Sequence, residues 1–297
     1  MTRQIAVLVN PAAGRGRAAR LAGPVHDRLT ESGATVRLTA GRDADEARDL
    51  ARALVADGPH QADALVVVGG DGIVSLALDA VAGGDVPLGV VPAGTGNDLV
   101  RELGIPQRDP LAAVDVVVAG YTRSLDLGQV GDRWFSTILC SGFDSRVAER
   151  VSRMSWPRGR LRYDLAIVAE LGVFRPVTFS LELDGVPWHT DAMVVAVGNT
   201  ASYGGGLRIC EGADASDGLL DVTVIAPLTR RQLAMLFPKL SKGTHVTHPA
   251  VQTRRAREVS VAAPAITAYA DGERVGALPL TVRTVPGALR VFSPPPR

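Results

Sequence analysis

Three glycine-rich segments hold the residues of this sequence best suited to chemistry. They are Asn10-Pro11-Ala12-Ala13-Gly14-Arg15-Gly16-Arg17, Gly69-Gly70-Asp71-Gly72 and Pro92-Ala93-Gly94-Thr95-Gly96-Asn97-Asp98. Glycine lets a backbone turn tightly and approach a ligand closely. A loop that opens a helix also presents N–H groups and the positive end of the helix dipole, which suits polyphosphate. Thr95 and Asn97 add hydrogen-bonding side chains, and Arg15, Arg17, Arg20 and Arg101 can add charge. Taken singly, each arginine reads as solvated helix surface; three loops converging carry the inference. Gly14-x-Gly16-x-x-Ala19 also fits a relaxed dinucleotide fingerprint. Against it, no acidic residue ends the following Thr35–Leu38 run to hold a ribose, and the other two loops would go unexplained. No Gly-Lys-Ser/Thr of a P-loop is present.

Two acidic turns follow later: Asp214-Ala215-Ser216-Asp217-Gly218-Leu219-Leu220-Asp221 and Ala270-Asp271-Gly272-Glu273. Asp-Gly alone is ordinary hairpin punctuation. Together with Asp71, these carboxylates would suffice to hold a hard cation and to deprotonate an alcohol.

The elements that must position these residues change character along the chain. Ile5–Val9, Ala64–Val68 and Leu88–Val91 are continuous apolar runs, as expected of strands buried on both faces. Between them, Leu21, Val25 and Leu29 recur at helical spacing up to Ser32-Gly33, and Thr35–Leu38 reads as a short strand. Asp43 with Glu46 fits a capping pair opening a helix. A further helix is expected from about Val74 to Ala82. This alternation predicts a parallel sheet, with all three glycine loops on one edge.

After Gly120 short β-like runs alternate with turns. They are Ser124–Val130, Trp134–Leu139, Val177–Leu183, Ala192–Gly198, Leu219–Ile225, Glu258–Ala262, Leu280–Thr284 and Leu289–Phe292, with Pro286-Gly287 read as the turn between the last two. Helices are expected near Ser145–Met154, Leu161–Gly172 and Arg230–Lys239. The fold class is therefore α/β, a parallel-sheet nucleotide-binding domain followed by a mostly antiparallel, β-sandwich-like domain.

The 297 residues are 46% hydrophobic with net charge +1, enough apolar content for a substantial core and a balance that argues against a general nucleic-acid binder. Cys140 and Cys210 form no metal-ligand spacing and read as buried free thiols. The start of the chain lacks a signal-peptide layout and no run is long enough to span a bilayer, so a cytoplasmic protein is expected. Two basic segments stand out: Arg146, Arg150, Arg153, Arg158, Arg160 and Arg162 around Met154 and Trp156, and the stretch Arg230 to Arg257. They read either as solvated helix faces or as a peripheral contact with anionic lipid headgroups. The apolar Leu165–Phe174 reads as core or as the wall of an acyl pocket.

The glycine loops, Tyr203-Gly204-Gly205-Gly206, Asp217-Gly218-Leu219-Leu220-Asp221 and Asp271-Gly272-Glu273 stand in the order found in the diacylglycerol kinase catalytic family. The chain resembles that family over nearly its whole length, most of all its soluble bacterial lipid-kinase branch, which is related to sphingosine and ceramide kinases. The resemblance implies an ATP-binding domain over 1–122 and a lipid-substrate domain over 123–297, with a tail that packs back on the first and the active site in the cleft. It implies that Asn10, Pro11, Gly14, Gly16, Gly69, Gly70, Gly72, Gly94, Thr95, Gly96, Asn97 and Asp98 surround ATP. Arg20 and Arg101 approach phosphates or the lipid head. Asp71, Asp217 and Glu273 are linked to magnesium, and Asp271 is the general base, with Asp71 beside it in catalysis. Leu99-Val100 stands where the family more often has Phe-Ala. The implied activity is transfer of the ATP γ-phosphoryl group to a lipid hydroxyl, diacylglycerol first among acceptors, at a membrane surface and with a homodimer as the implied assembly. NAD kinase, a non-catalytic nucleotide or lipid sensor on the same fold and an NADP-dependent oxidoreductase are the rival readings.

Overall fold

The computed structural model describes residues 2–58, 61–156 and 160–295. Arg158, the side chains of Arg160 and Asp164, and Pro296 of the tail lie outside the described residues. By compactness the chain divides into two units, Met1–Leu127 with Val285–Arg297, and Gly128–Thr284. The expected boundary at 122/123 falls at the start of a strand, Thr122–Val130, inside which the compact units divide.

The first unit runs β1 (Gln4–Val9), α1 (Ala13–Glu31), β2 (Thr35–Ala40), α2 (Ala44–Val55), β3 (Ala64–Gly69), α3 (Asp71–Val81), β4 (Leu88–Pro92), α4 (Asp98–Glu102) and α5 (Pro110–Ala119). The sheet order is β2-β1-β3-β4, all parallel. Strands β1, β3 and β4 are apolar and buried because helices cover both faces; β2 lies at the edge and is largely exposed. In register, Val9 faces Val68 and Gly69 faces Pro92, so the three strands end level and their loops leave from one edge.

Several expectations are corrected here. Helix α3 begins at Asp71, three residues before the expected start, because extended Gly70 caps it and the Gly70 carbonyl accepts the N–H groups of Ile73 and Val74. Asp71 is thus in a helical first turn rather than a loop. Asp43 caps α2 as expected, accepting the Glu46 N–H at 2.9 Å, but the Glu46 carboxylate turns back to the Arg42 N–H instead of completing the box. Helix α5 was not foreseen.

The second unit continues with β5 (Thr122–Val130), which it shares with the first, β6 (Arg133–Phe135), β7 (Ile138–Gly142), α6 (Phe143–Arg153), α7 (Arg160–Val173), β8 (Val177–Leu183), β9 (Val186–Ala192), β10 (Val194–Gly198), β11 (Leu220–Ile225) and α8 (Arg230–Leu240). After a 3-10 turn at Thr244–Thr247 come β12 (Val251–Ala256), β13 (Glu258–Ala262), β14 (Thr267–Ala270), β15 (Glu273–Ala277) and β16 (Leu280–Phe292). One antiparallel sheet has the order β12-β11-β10-β7-β14-β15. Facing it across a shared core are β9, β8, β13 and the start of β16; Leu139, Val195, Val222, Phe179, Leu181 and Val259 meet there. Strand β8 alternates, with Phe179, Leu181 and Leu183 inward. Strands β7 and β10 do not, being buried throughout, because α6, α7 and α8 pack on their other side.

Two strand expectations fail in informative ways. The run Trp134–Leu139 is split between β6 and β7 at Ser136-Thr137, whose polar groups are all engaged elsewhere. Pro286-Gly287 is no turn: β16 runs through it, with Gly287 at φ 64° donating its N–H to Asp126 Oδ1 at 2.8 Å.

Candidate active site

In the first unit Asp71 ties the second loop to the third. Its Oδ2 accepts the Asn97 N–H at 2.9 Å and its Oδ1 accepts the Asp98 N–H at 2.7 Å. Each oxygen so keeps a second lone pair. Asn97 sits in the left-handed region, φ 52°, and its Nδ2 donates to the Gly94 carbonyl. Its Oδ1 is buried and accepts no hydrogen bond. Asp98 is buried and holds Arg101 Nη1 at 2.7 Å, while Arg101 Nη2 donates to the Gly96 carbonyl. Arg101 therefore braces the third loop. In the first loop the Asn10 side chain accepts the Ala12 N–H, and exposed Pro11 follows the strand end.

The glycines divide into two kinds. A Cβ on Gly94 would lie 2.5 Å from Gly70 Cα, one on Gly96 2.3 Å from Asp71 Oδ2, one on Gly14 2.0 Å from the Ala93 carbonyl oxygen, and one on Gly69 2.7 Å from Ile73 Cγ2. Gly94 and Gly14 are glycine because backbone meets backbone there, Gly96 and Gly69 because a neighbouring side chain fills the space. At Gly72 a Cβ would meet nothing, and at Gly16 only Arg20 Nη1 at 3.9 Å. Gly72 is helical without positive φ, so neither packing nor conformation asks for glycine there. Exposed Arg20 has no ion-pair partner among the described residues and reaches back over Gly16; Thr95 is exposed beside Gly96.

In the second unit Asp271 and Gly272, at φ 50° and 83°, form the two-residue turn between β14 and β15. The hairpin reading of this Asp-Gly is borne out. The Asp271 carboxylate accepts the Ser136 N–H at 2.7 Å and Oγ–H at 3.0 Å on one oxygen. On the other it accepts the Thr137 N–H at 2.9 Å and Oγ–H at 2.5 Å. The backbone behind this clamp is fixed as well, because the Thr137 carbonyl takes the Asn199 N–H and the Ser136 carbonyl takes Asn199 Nδ2. Burial pushes the Asp271 carboxyl above its ordinary range, opposed by the donors from Thr137 and Ser136. Ser136, Thr137 and Asn199 escaped the sequence reading; the available signal was a Ser-Thr pair interrupting an apolar run.

The remaining expected residues are not drawn into one cation cage. Asp217 accepts the Leu219 N–H and is ion-paired with Arg255, which also lies 3.4 Å from Asp221. Glu273 is exposed at the start of β15. Among the described residues no group of three or more His, Cys, Asp or Glu side chains is placed to hold a metal ion. The Asp217 carboxylate is thus held by the Arg255 guanidinium rather than left open. Tyr203 of the glycine-rich turn donates its hydroxyl to Asp144 in α6, whose carboxyl burial pushes up to about 6. Cys140 and Cys210 are buried and free, and no helix among the described residues is long and apolar enough to cross a membrane.

An α/β unit with three glycine loops on one sheet edge is joined in sequence to a β-sandwich unit with a clamped carboxylate, and comparison with known proteins makes this chain a kinase of the lipid-kinase class. A family model described as the diacylglycerol kinase catalytic domain matches residues 4–130, and one described as the YegS C-terminal NAD kinase beta sandwich-like domain matches 137–293. A Mycobacterium tuberculosis protein named diacylglycerol kinase is 47% identical over 98% of this chain and 95% of its own length. A Stenotrophomonas maltophilia protein named "Probable lipid kinase YegS-like" is 32% identical over 85% and 84%. The crystal structure of a diacylglycerol kinase from Bacillus anthracis superposes with a TM-score of 0.81 at 19% identity, covering 99% of this chain and 98% of the other. The chain belongs to the diacylglycerol kinase catalytic family.

Proposed function

We propose that this enzyme transfers the γ-phosphoryl group of ATP to the hydroxyl of diacylglycerol. The observation that carries the acceptor is the 47% identity, along the whole chain, to a protein named diacylglycerol kinase. The donor is supported by the glycine loops of the first unit. Gly16 and Gly72 leave room for phosphate oxygens, Arg20 offers an uncommitted guanidinium, and the buried Asn97 Oδ1 is an acceptor in need of a donor such as an amino or hydroxyl group of the nucleotide. An NAD kinase from Archaeoglobus fulgidus solved in complex with ATP shares the fold, at a TM-score of 0.54 and 14% identity. Magnesium enters as part of the nucleotide substrate, where it neutralises charge between the phosphates.

Phosphoryl transfer asks mainly for positioning, charge neutralisation and one group to take the hydroxyl proton. Asp71 keeps the third loop closed against α3 through its two backbone hydrogen bonds. Asp271 is proposed as the proton acceptor. Its two N–H bonds are fixed, whereas the Ser136 and Thr137 hydroxyls are rotors that can swing aside and free a lone pair. The test is incubation with γ-labelled ATP, magnesium and separate acceptors: diacylglycerol, ceramide, sphingosine, phosphatidylinositol and NAD. Label is expected in diacylglycerol. Label in NAD alone contradicts the proposal, and label in none favours a sensor.

A further inference from the structure

An ionised carboxylate offers about four lone-pair positions. Ser136 and Thr137 fill those of Asp271 with four donors, two on each oxygen. A carboxylate so occupied has no lone pair left for the acceptor's proton, so one donor must leave before the proton arrives. The two backbone donors cannot leave. The Thr137 carbonyl is held from behind by the Asn199 N–H at 2.8 Å and the Thr200 N–H at 3.3 Å, and the Ser136 carbonyl by Asn199 Nδ2 at 2.9 Å. Asp271 is anchored to the next residue of the same segment, its own N–H donating to the Ile138 carbonyl at 3.2 Å. The choice falls between two hydroxyls.

These hydroxyls are not equivalent. Thr137 Oγ1 lies 2.5 Å from Asp271 Oδ1, whereas Ser136 Oγ lies 3.0 Å from Oδ2. The first distance is that of a strong charge-assisted hydrogen bond and the second is longer than such bonds run. The branched Cβ of Thr137 also restricts χ1, while the unbranched Cβ of Ser136 leaves three staggered positions open. Both side chains are buried, so each hydroxyl's orientation is set by protein groups rather than bulk water. Ser136 is the easier of the two to turn. A hydroxyl can accept as well as donate, which an N–H cannot. Once Oδ2 carries a proton, the Ser136 oxygen is placed to receive it in a hydrogen bond.

We propose that Ser136 and Thr137 are positioning residues with unequal tasks: Thr137 braces Oδ1 of Asp271, and Ser136 turns away to free Oδ2 as the oxygen that takes the acceptor's proton. In the step itself the acceptor O–H bond breaks, and its oxygen bonds the γ-phosphorus as the bond from that phosphorus to ADP breaks. The proton ends on Oδ2, leaving Asp271 neutral and still held by its two N–H donors. Asn199 fixes the backbone of both residues and so keeps the brace in register. The inference rests on Asp271 being the proton acceptor, and the experiment separates the two claims.

The experiment is steady-state kinetics of the full chain with γ-labelled ATP, magnesium and diacylglycerol, comparing Thr137→Val, Thr137→Ser, Ser136→Ala and Asp271→Asn, with melting temperatures to confirm folding. Thr137→Val is expected to lower kcat about 10²-fold by letting the carboxylate drift, with KM for ATP unchanged. Thr137→Ser keeps the hydroxyl and should recover most of that loss. Ser136→Ala is expected to cost about tenfold in kcat, less than Thr137→Val. Both residues act through Asp271, so in an Asp271→Asn background Ser136→Ala should add nothing to the loss already incurred. That double variant also decides the matter if Thr137→Val does not fold. A Ser136→Ala loss as large as that of Thr137→Val, no recovery by a folded Thr137→Ser protein, or a full further loss in the Asp271→Asn background overturns the proposal and leaves Asp271 as the base. Near-normal turnover by Asp271→Asn alone is the separate failure, which removes the base and the proposal with it.

Discussion

Gly72 and Gly96 are both glycines of the loop set, and the structure gives them opposite reasons for being so. Gly96 is confined by Asp71 Oδ2, and Gly72 faces open space in the first turn of α3. Gly96→Ala should push Asp71 off the Asn97 and Asp98 N–H groups and lower both stability and nucleotide affinity. Gly72→Ala should leave stability unchanged or raise it by about 0.5–1 kcal/mol through helix propensity, yet weaken ATP binding. Urea denaturation and isothermal titration of the two variants separate these outcomes. Unimpaired ATP binding by Gly72→Ala would remove the phosphate role from this position. At this scale the sequence was informative about residue types and silent about partners. Glycine spacing marked the loops, but nothing in it distinguished glycines that admit a neighbouring backbone from those that admit a ligand. Arg101 shows the same limit, because its commitment to Asp98 depends on the turn of α4. The clamp on Asp271 could not be read at all, since Ser136 and Thr137 are 134 residues or more away in sequence.

Among elements, those with a single buried face were the most legible. Strand β8 alternates and α2 carries its cap, so both were readable from period and capping residues. Helix α5 was missed although Asp109 caps it, Pro110 opens it and Gly120 closes it at φ 76°. Its sequence is apolar on nearly every side, so no amphipathic stripe announces it. Strands β9, β12 and β15 are short or polar and owe their form to pairing with neighbours.

The contact of α6 with the Tyr203 turn gives an element-scale prediction. Burial raises the Asp144 carboxyl from 3.8 to about 6. A raised folded-state value means that the folded protein binds the proton more tightly than the unfolded chain. The stabilisation is thus present below about 3.8 and lost as pH rises through about 6. Asp144→Asn removes this titration. Between pH 3.8 and pH 6 the wild type should lose on the order of 2–3 kcal/mol relative to the variant, measured by urea unfolding at several pH values. Parallel pH profiles for the two proteins would contradict the assignment.

For the whole molecule, the division into a parallel α/β unit and an antiparallel sandwich unit followed from the change in hydrophobic period after Gly120. The return of 285–297 to the first unit was less legible, because Pro286-Gly287 imitates a turn inside a continuous strand. Each unit contributes one carboxylate held by backbone N–H donors, Asp71 in one and Asp271 in the other. The proposed chemistry needs both, and Asp271 is the one expected to act on the acceptor. The most direct measurement is transfer of label from γ-labelled ATP into chloroform-extractable lipid, with diacylglycerol as acceptor, for the wild type and for Asp271→Asn. The wild type is expected to make labelled phosphatidic acid. The variant should fold and bind ATP normally but turn over about 10²- to 10⁴-fold more slowly. No labelled lipid from the wild type, or near-normal turnover by Asp271→Asn, would contradict the account.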